Sequence, residues 1–155
     1  MNLFYTQGDY GLLQCARNCS GETYDNERQV REMAGRQKDQ RVPSELVPRC
    51  PRCGAPMVPN LRVDGTFCED RGWHEAASRY RAFCEVHSGD RVLYLELGVG
   101  DNTPVIIKYP FWNAVGRNDH AAYACANIGG ACAPAAIAGR SILADDDIDE
   151  LIQNV

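Results

Sequence analysis

Two patterns predict an α/β chain: a partial, doubly wound, mainly parallel sheet with a small metal-binding module inserted into it. After Val63, apolar runs alternate with helical periodicity in the order strand, helix, strand, helix, strand, as parallel sheets are wound. Before Val63, two close cysteine pairs, Cys15-Ala-Arg-Asn-Cys19 and Cys50-Pro-Arg-Cys53-Gly54, bracket a polar stretch. With 155 residues, 45% of them hydrophobic and 24% charged, the chain suffices for one domain with a real core, or one domain plus a small module.

The elements follow in order. Leu3-Phe4-Tyr5-Thr6 reads as a short apolar strand, and Gln7-Gly8-Asp9-Tyr10-Gly11 as a loop with two glycine hinges. A domain normally begins with something more dispensable, so this start reads as the middle of a fold. Between the cysteine pairs, Asp25 or Asn26 can cap a helix beginning near Glu27 and ending by Gln40, with a thin apolar stripe of Val30, Met33 and Ala34. Its arginines alternate with Glu27, Glu32 and Asp39, which describes a solvated, salt-bridged face better than a phosphate site. Gly65-Thr66-Phe67-Cys68 suggests a short strand. Trp73, Ala76, Ala77, Tyr80, Phe83, Cys84 and His87 then fall on one face of an amphipathic helix. Val92 to Leu97 reads as a buried strand ending at Gly98-Val99-Gly100. Pro104 to Val115 reads as a helix with proline in its first turn. Tyr123 to Ile128 is a further strand, Ser141-Ile142-Leu143 a last short one, and Asp146 to Val155 a closing helix. The organisation expected is a strand and loop over 1–9, the cysteine module over 10–62, and the rest of the sheet over 63–155.

Four thiolates in two close pairs, Cys15, Cys19, Cys50 and Cys53, can close a tetrahedral zinc site, each pair gripping the ion from its own turn. Gly54 suits a backbone with φ > 0 after the second pair. Two disulfides or four separate buried thiols are the alternatives. Eight cysteines without a secretory segment argue against a disulfide scaffold, and a reducing, cytoplasmic compartment fits. Cys68, Cys84, Cys125 and Cys132 stand singly in apolar surroundings and read as small buried hydrophobes. The longest apolar runs are far too short to cross a bilayer, so no membrane partner is expected. A net charge of −5, with an anionic thiolate site besides, disfavours nucleic acid. His74, His87 and His120 read as surface or boundary residues rather than bases or ligands.

Ligands of parallel sheets sit beyond the carboxyl ends of the strands. Gly98-Val99-Gly100-Asp101-Asn102-Thr103 offers close backbone approach and the amide end of a helix, suited to a nucleotide phosphate or ribose. Asn127-Ile128-Gly129-Gly130 offers an amide side chain for a sugar hydroxyl. Such loops are also common turn chemistry. Asp145-Asp146-Asp147 reads as complementation of a helix dipole.

Taken together, Tyr5-Thr6-Gln7-Gly8-Asp9-Tyr10-Gly11, Tyr24-Asp25-Asn26, Asn60-Leu61-Arg62, Leu95-Glu96-Leu97-Gly98-Val99-Gly100 and Asn102-Thr103-Pro104 resemble the distal half of the macrodomain-linked, class M sirtuins of microbes. The resemblance runs along essentially the whole chain. It implies a partial Rossmann-like fold with a zinc-ribbon-like insertion. No counterpart of the family's amino-terminal half, with its glycine-rich dinucleotide loop, precedes Leu3.

By this resemblance Cys15, Cys19, Cys50 and Cys53 are structural zinc ligands. Gly98, Gly100 and Asn102 line the phosphates and ribose of NAD, Asn127 meets the adenosine ribose, and Ile148 lies near the position that packs on adenine, where Asp146 replaces the family's usual glycine. Gln7 stands where deacetylating sirtuins carry a catalytic histidine. The implied activity is NAD-dependent transfer of ADP-ribose to a protein acceptor, with NAD as cofactor and zinc as structural metal, and inactivity without the missing half. The family association suggests a lipoylated carrier protein as acceptor and a macrodomain protein as partner. The competing readings are an NAD-dependent deacylase, a non-catalytic zinc-bearing interaction domain, and a split enzyme whose other half is a separate chain.

Overall fold

The computed structural model describes residues 3–153 and divides into two compact units, one extending to Arg81 and the other beginning at Ala82.

The first unit is an antiparallel sheet of three strands, β1 (Gly8–Cys15), β2 (Thr23–Asp25) and β3 (Met57–Leu61), in the order β2-β1-β3. It carries the helix α1 (Glu27–Arg36) and the first part of α2 (Arg71–Val86). Leu3-Phe4-Tyr5-Thr6, expected as a strand, is irregular, and the expected loop from Gly8 to Gly11 is the start of β1. Pairing explains the exchange. Gly8 lies opposite Leu61 and Asp9 opposite Asn60, after which the register shifts before Leu13 resumes opposite Pro59. The shift falls on the Gly-rich stretch, where a bulge strains the backbone least, and Asp9 closes it by accepting the Gly11 amide at 2.7 Å. Gly65-Thr66-Phe67-Cys68 is not a strand either. Asp64 accepts the Thr66 amide and hydroxyl, both at 2.7 Å, and so makes a turn there. Phe67 and Cys68 are nonetheless buried.

α2 matches its periodicity, and Asp70 caps it by accepting the Trp73 amide at 2.8 Å. Of its apolar stripe only Ala76 is buried, while Phe4 packs on Trp73 and Tyr80 with ring centroids at 5.2 and 5.7 Å. A buried amide network holds the unit's middle. The Gln14 carbonyl accepts from Asn60 Nδ2 at 2.7 Å and from the Cys68 amide at 2.9 Å, while its own Nε2 donates to Thr66 O at 3.0 Å.

The second unit is the mainly parallel α/β part. β4 (Leu93–Leu97), β5 (Ala122–Ala126) and β6 (Ser141–Ala144) pair parallel in that order. α3 (Lys108–Arg117) and a short 3-10 helix, Ala135–Arg140, connect them, and α4 (Ile148–Gln153) follows β6. α3 begins later than the expected Pro104 because of Pro110. A proline deep inside a helix lacks an amide and clashes with the preceding turn, whereas one in the first turn costs nothing. Residues 104–107 form turns instead.

The core, Val115, Ala121, Tyr123, Cys125 and Ile137 with Tyr94, Phe111 and Trp112 against it, occupies the face covered by α3 and the 3-10 helix. Strand alternation sends Leu93, Leu95 and Leu97 to the other face, where they are exposed together with Ile142. The expectation of a wholly buried β4 is therefore corrected. Of the single cysteines, Cys68 and Cys125 are buried as expected, but Cys84 is half-buried and Cys132 exposed. His74 and His120 are exposed. His87 is half-buried and pairs with Asp90 at 2.7 Å.

Gly8 is the tightest backbone position. Its φ is +102°, and a Cβ there would lie 1.9 Å from the Asn60 carbonyl oxygen. Gly8→Ala must therefore separate β1 from β3. A loss of about 3 kcal/mol in urea unfolding is expected from strain plus forced displacement, and an unchanged urea midpoint would contradict this packing.

Candidate metal centre and nucleotide loops

The metal centre follows from two knuckles brought together by one strand pairing. β1 delivers Cys15 opposite Met57 of β3, and the chain turns tightly after each first cysteine. In the first knuckle the Asn18 amide donates to Cys15 O at 2.8 Å, with Asn18 at φ +44°. In the second the Gly54 amide donates to Cys50 O at 2.8 Å, and Gly54 has the expected positive φ of +70°.

The four sulfurs of Cys15, Cys19, Cys50 and Cys53 lie within 4.8 Å of one another, and all are free thiols. Each close contact crosses between knuckles: Cys15 to Cys53 and Cys19 to Cys50, both 3.6 Å. Metal–sulfur bonds of about 2.3 Å give a tetrahedral tetrathiolate sulfur–sulfur edges of about 3.8 Å. The donor set and its spacing fit such an ion, with Cys15 and Cys50 buried and Cys19 and Cys53 exposed. Backbone amides prepare the thiolates. Those of Cys19 and Arg17 hold the Cys15 thiol down, to about 6, and those of Cys53 and Arg52 lower Cys50. Cys19 moves the other way, to about 12, because its thiol donates to Cys53 and Cys50. A cation among the sulfurs removes that competition by ionising all four.

Gln7 is exposed in the turn that enters β1. Its carbonyl accepts the Arg62 amide at 2.9 Å, and Arg62 Nε donates to Thr6 O at 3.2 Å. The Arg62 guanidinium also lies over the Phe67 ring at 4.2 Å and pairs with Glu69 at 2.6 Å. A rigid cationic plane thus braces the Gln7 turn. Arg62 had no role in the sequence reading beyond its place in Asn60-Leu61-Arg62.

In the second unit, three of the proposed cofactor residues converge at the carboxyl end of the parallel sheet. Gly98, at φ +63°, follows β4 and donates its amide to Ala126 O at 2.9 Å. A Cβ on it would meet Ile148 Cδ1 at 3.3 Å. Asn127 follows β5, its Nδ2 donating to Val99 O at 3.0 Å, and the Asn127 amide is held by Ala144 O at 3.0 Å. Gly100 and Asn102 lie on the exposed turn beyond. The aspartate run divides its work. Asp145 accepts the Gly129 amide, and Asp147 the Asp149 amide at 2.8 Å, at the start of α4.

The sequence reading missed Glu96. It is buried in β4, bound by the Lys108 ammonium and, at 2.6 Å, by the Tyr123 hydroxyl. A lone carboxylate among Leu95 and Leu97 was the available signal. Burial works against the Lys108 charge, yet the Glu96 carboxylate more than offsets it and holds the ammonium's pKa above its ordinary value.

Along 97% of its length the chain is 40% identical, over 152 residues, to a "Protein ADP-ribosyltransferase" of Staphylococcus aureus (strain Mu50 / ATCC 700699). It is similar to an ADP-ribosyltransferase. A "Probable bifunctional ADP-ribose hydrolase/ADP-ribosyltransferase" of Fusarium oxysporum f. sp. cubense is 29% identical over 120 residues, 73% of the chain. The chain spans 48% of the first relative and 20% of the second. No family model matches it.

Metal analysis of the purified chain should find about one metal ion for each four-sulfur site. Cys50→Ala should lose both the ion and the fold of the first unit, while Cys68→Ser should keep the ion. Folded, metal-free protein would remove the assignment.

Proposed function

We propose that this chain is the distal portion of a sirtuin-class, NAD-dependent protein ADP-ribosyltransferase, with zinc in the tetrathiolate site as a structural ion. The observation that carries the reading is the 40% identity, over nearly the whole chain, to a protein named for ADP-ribosyl transfer. The converging Gly98, Asn127 and Ile148 support it, because they stand where open parallel sheets take nucleotides. In the reaction NAD gives up nicotinamide and its anomeric carbon bonds to an acceptor nucleophile, which loses a proton.

Gln7 separates transfer from deacylation. Sirtuin deacylation needs a base to take a ribose hydroxyl proton, and a histidine with pKa near ~6.5 can serve. A glutamine amide donates and accepts hydrogen bonds but takes up no proton near neutrality. It can orient the ribose or an incoming nucleophile, which transfer requires. The acceptor class we favour is a lipoylated carrier protein, and a macrodomain protein is the favoured partner. The hydrolase in the second relative's name accords with that partner. The reduced thiols accord with a cytoplasmic setting. Among the described residues no helix is long and apolar enough to cross a membrane.

The exposed face of the parallel sheet bears on how much of the enzyme is needed. Such sheets are ordinarily covered on both faces, and Leu93, Leu95, Leu97 and Ile142 are what another portion of the fold would cover. The same face also suits the second reading, a non-catalytic zinc-bearing interaction domain.

Two measurements test the proposal. Calorimetry with NAD should show only weak binding, and so little heat, for the 155 residues alone, and addition of the relatives' other portion in trans should restore tight binding; tight binding by this chain alone overturns the half-enzyme reading. With radiolabelled NAD and an acetylated peptide in parallel, the reconstituted protein should label a protein acceptor and leave the acetyl group in place. Gln7→Ala should weaken labelling, by about tenfold for one lost orienting hydrogen bond to a polar centre. Robust deacetylation with Gln7 intact would return the protein to the deacylases.

A further inference from the structure

The buried Glu96–Lys108 pair has no part in metal binding, and its place in the chain is specific. Glu96 is next to last in β4 and Lys108 is the first residue of α3, so the loop over 98–107 leaves and returns between them. Their side chains are 0% and 1% exposed. Besides the Lys108 ammonium, Glu96 receives the Tyr123 hydroxyl at 2.6 Å and the Cys125 thiol at 3.5 Å, so neither carboxylate oxygen is unpartnered.

An ammonium is poorly placed at Lys108. It is buried, and it stands at the helix end whose free amides already carry partial positive charge. Glu96 offsets both costs. Compared with apolar residues of the same volume, a buried ion pair typically adds no net stability. What this pair adds is geometry. The same Lys108 Nζ lies 4.0 Å from Asp101 Oδ1, a carboxylate with a 78% exposed side chain on the loop itself. The Gly98 amide on Ala126 O and Asn127 Nδ2 on Val99 O hold the loop's first turn. Lys108 extends the hold to Asp101. At 4.0 Å from an exposed carboxylate this is an electrostatic attraction rather than a hydrogen bond, and it draws Asp101 toward the buried pair.

We propose that Lys108, itself held by Glu96, is a positioning residue that draws on Asp101 and so orders the 98–102 loop, which then accepts the anionic diphosphate–ribose part of a dinucleotide. The ligand class rests on the nucleotide reading of this loop given above; the clasp does not.

The test uses the full 155-residue chain. Lys108→Met alone leaves the Glu96 carboxylate buried without its cation and should destabilise the unit. The deciding variant is therefore Glu96→Gln with Lys108→Met, which removes both charges at similar volume and keeps an acceptor for Tyr123. Amide hydrogen exchange and ADP-ribose titration, both followed by NMR, are the readouts. The double variant should keep the wild-type urea midpoint and the wild-type protection of the β5 amides. Exchange at Gly98 and along 99–103 should quicken by about threefold, and the ADP-ribose dissociation constant should rise by a similar factor, the scale of one exposed ion pair. Wild-type exchange in the loop of the double variant would overturn the clasp. Equal quickening in β5 and the loop would overturn it too, as the mark of a merely structural pair. If ADP-ribose shifts no amide over 98–102 in the wild-type chain, the ligand assignment falls, and the exchange result still decides the clasp independently.

Discussion

The closure of four sulfurs around one point is the constraint on which the first unit depends. Its buried apolar cluster is Cys15, Cys50 and Ala55, with Met57 packed against it, so two of the three buried members are the thiols themselves. That end of the unit has little apolar core besides the thiols, and an ion held by the four thiolates would add cohesion there, because no such site exists in the unfolded chain. The consequence travels along the strands. Joining the knuckles fixes Cys15 opposite Met57, which sets the β1–β3 register as far as the bulge. Across the bulge the Gln14–Asn60 amide network, and beyond it the close approach of Gly8 to Asn60 O, carry the pairing to the Gln7 turn. The four-sulfur site is thus joined to the Gln7 turn through backbone register.

The second unit reaches order by a different route. Its core is apolar on one face of the parallel sheet, with a carboxylate, an ammonium and a phenol at its centre. Burial and the nearby Glu96 carboxylate raise the Tyr123 hydroxyl's pKa, which keeps it a hydrogen-bond donor rather than a second anion. One negative charge, one positive charge and neutral donors make a satisfied set, the condition under which a buried polar network specifies geometry instead of weakening the fold. The loops after β4 and β5 then start from fixed points, Gly98 and Asn127, each tied to the next strand by its own amide.

The legible parts of the sequence were those governed by period or close spacing. Two cysteine pairs gave a four-sulfur cluster because short spacings leave few geometries open. The stripe from Trp73 gave α2, and the alternation after Val63 gave the parallel sheet. The misreadings came where a long-range partner decided. Gly8 to Gly11 looks like a loop by composition, yet Asn60 and Leu61, far along the chain, make it a strand with a bulge. Phe67 and Cys68 look like a strand, yet the Asp64 carboxylate turns the chain just before them. Pro104 looked like the start of α3, although Pro110 sets the tighter limit. Glu96 was hidden for the same kind of reason, since its partners Lys108, Tyr123 and Cys125 meet it only in the folded sheet.

The chemistry of Gln7 and the architecture of the loops make separate demands. Arg62 holds the Gln7 turn by two hydrogen bonds, its amide to Gln7 O and its Nε to Thr6 O, while its guanidinium plane rests on Phe67. The 98–102 loop carries a carboxylate of its own, Asp101, and Lys108 Nζ lies 4.0 Å from it. In both, a neighbouring cation sets the position of a less constrained segment, Arg62 for the Gln7 turn and Lys108 for the loop that carries Asp101.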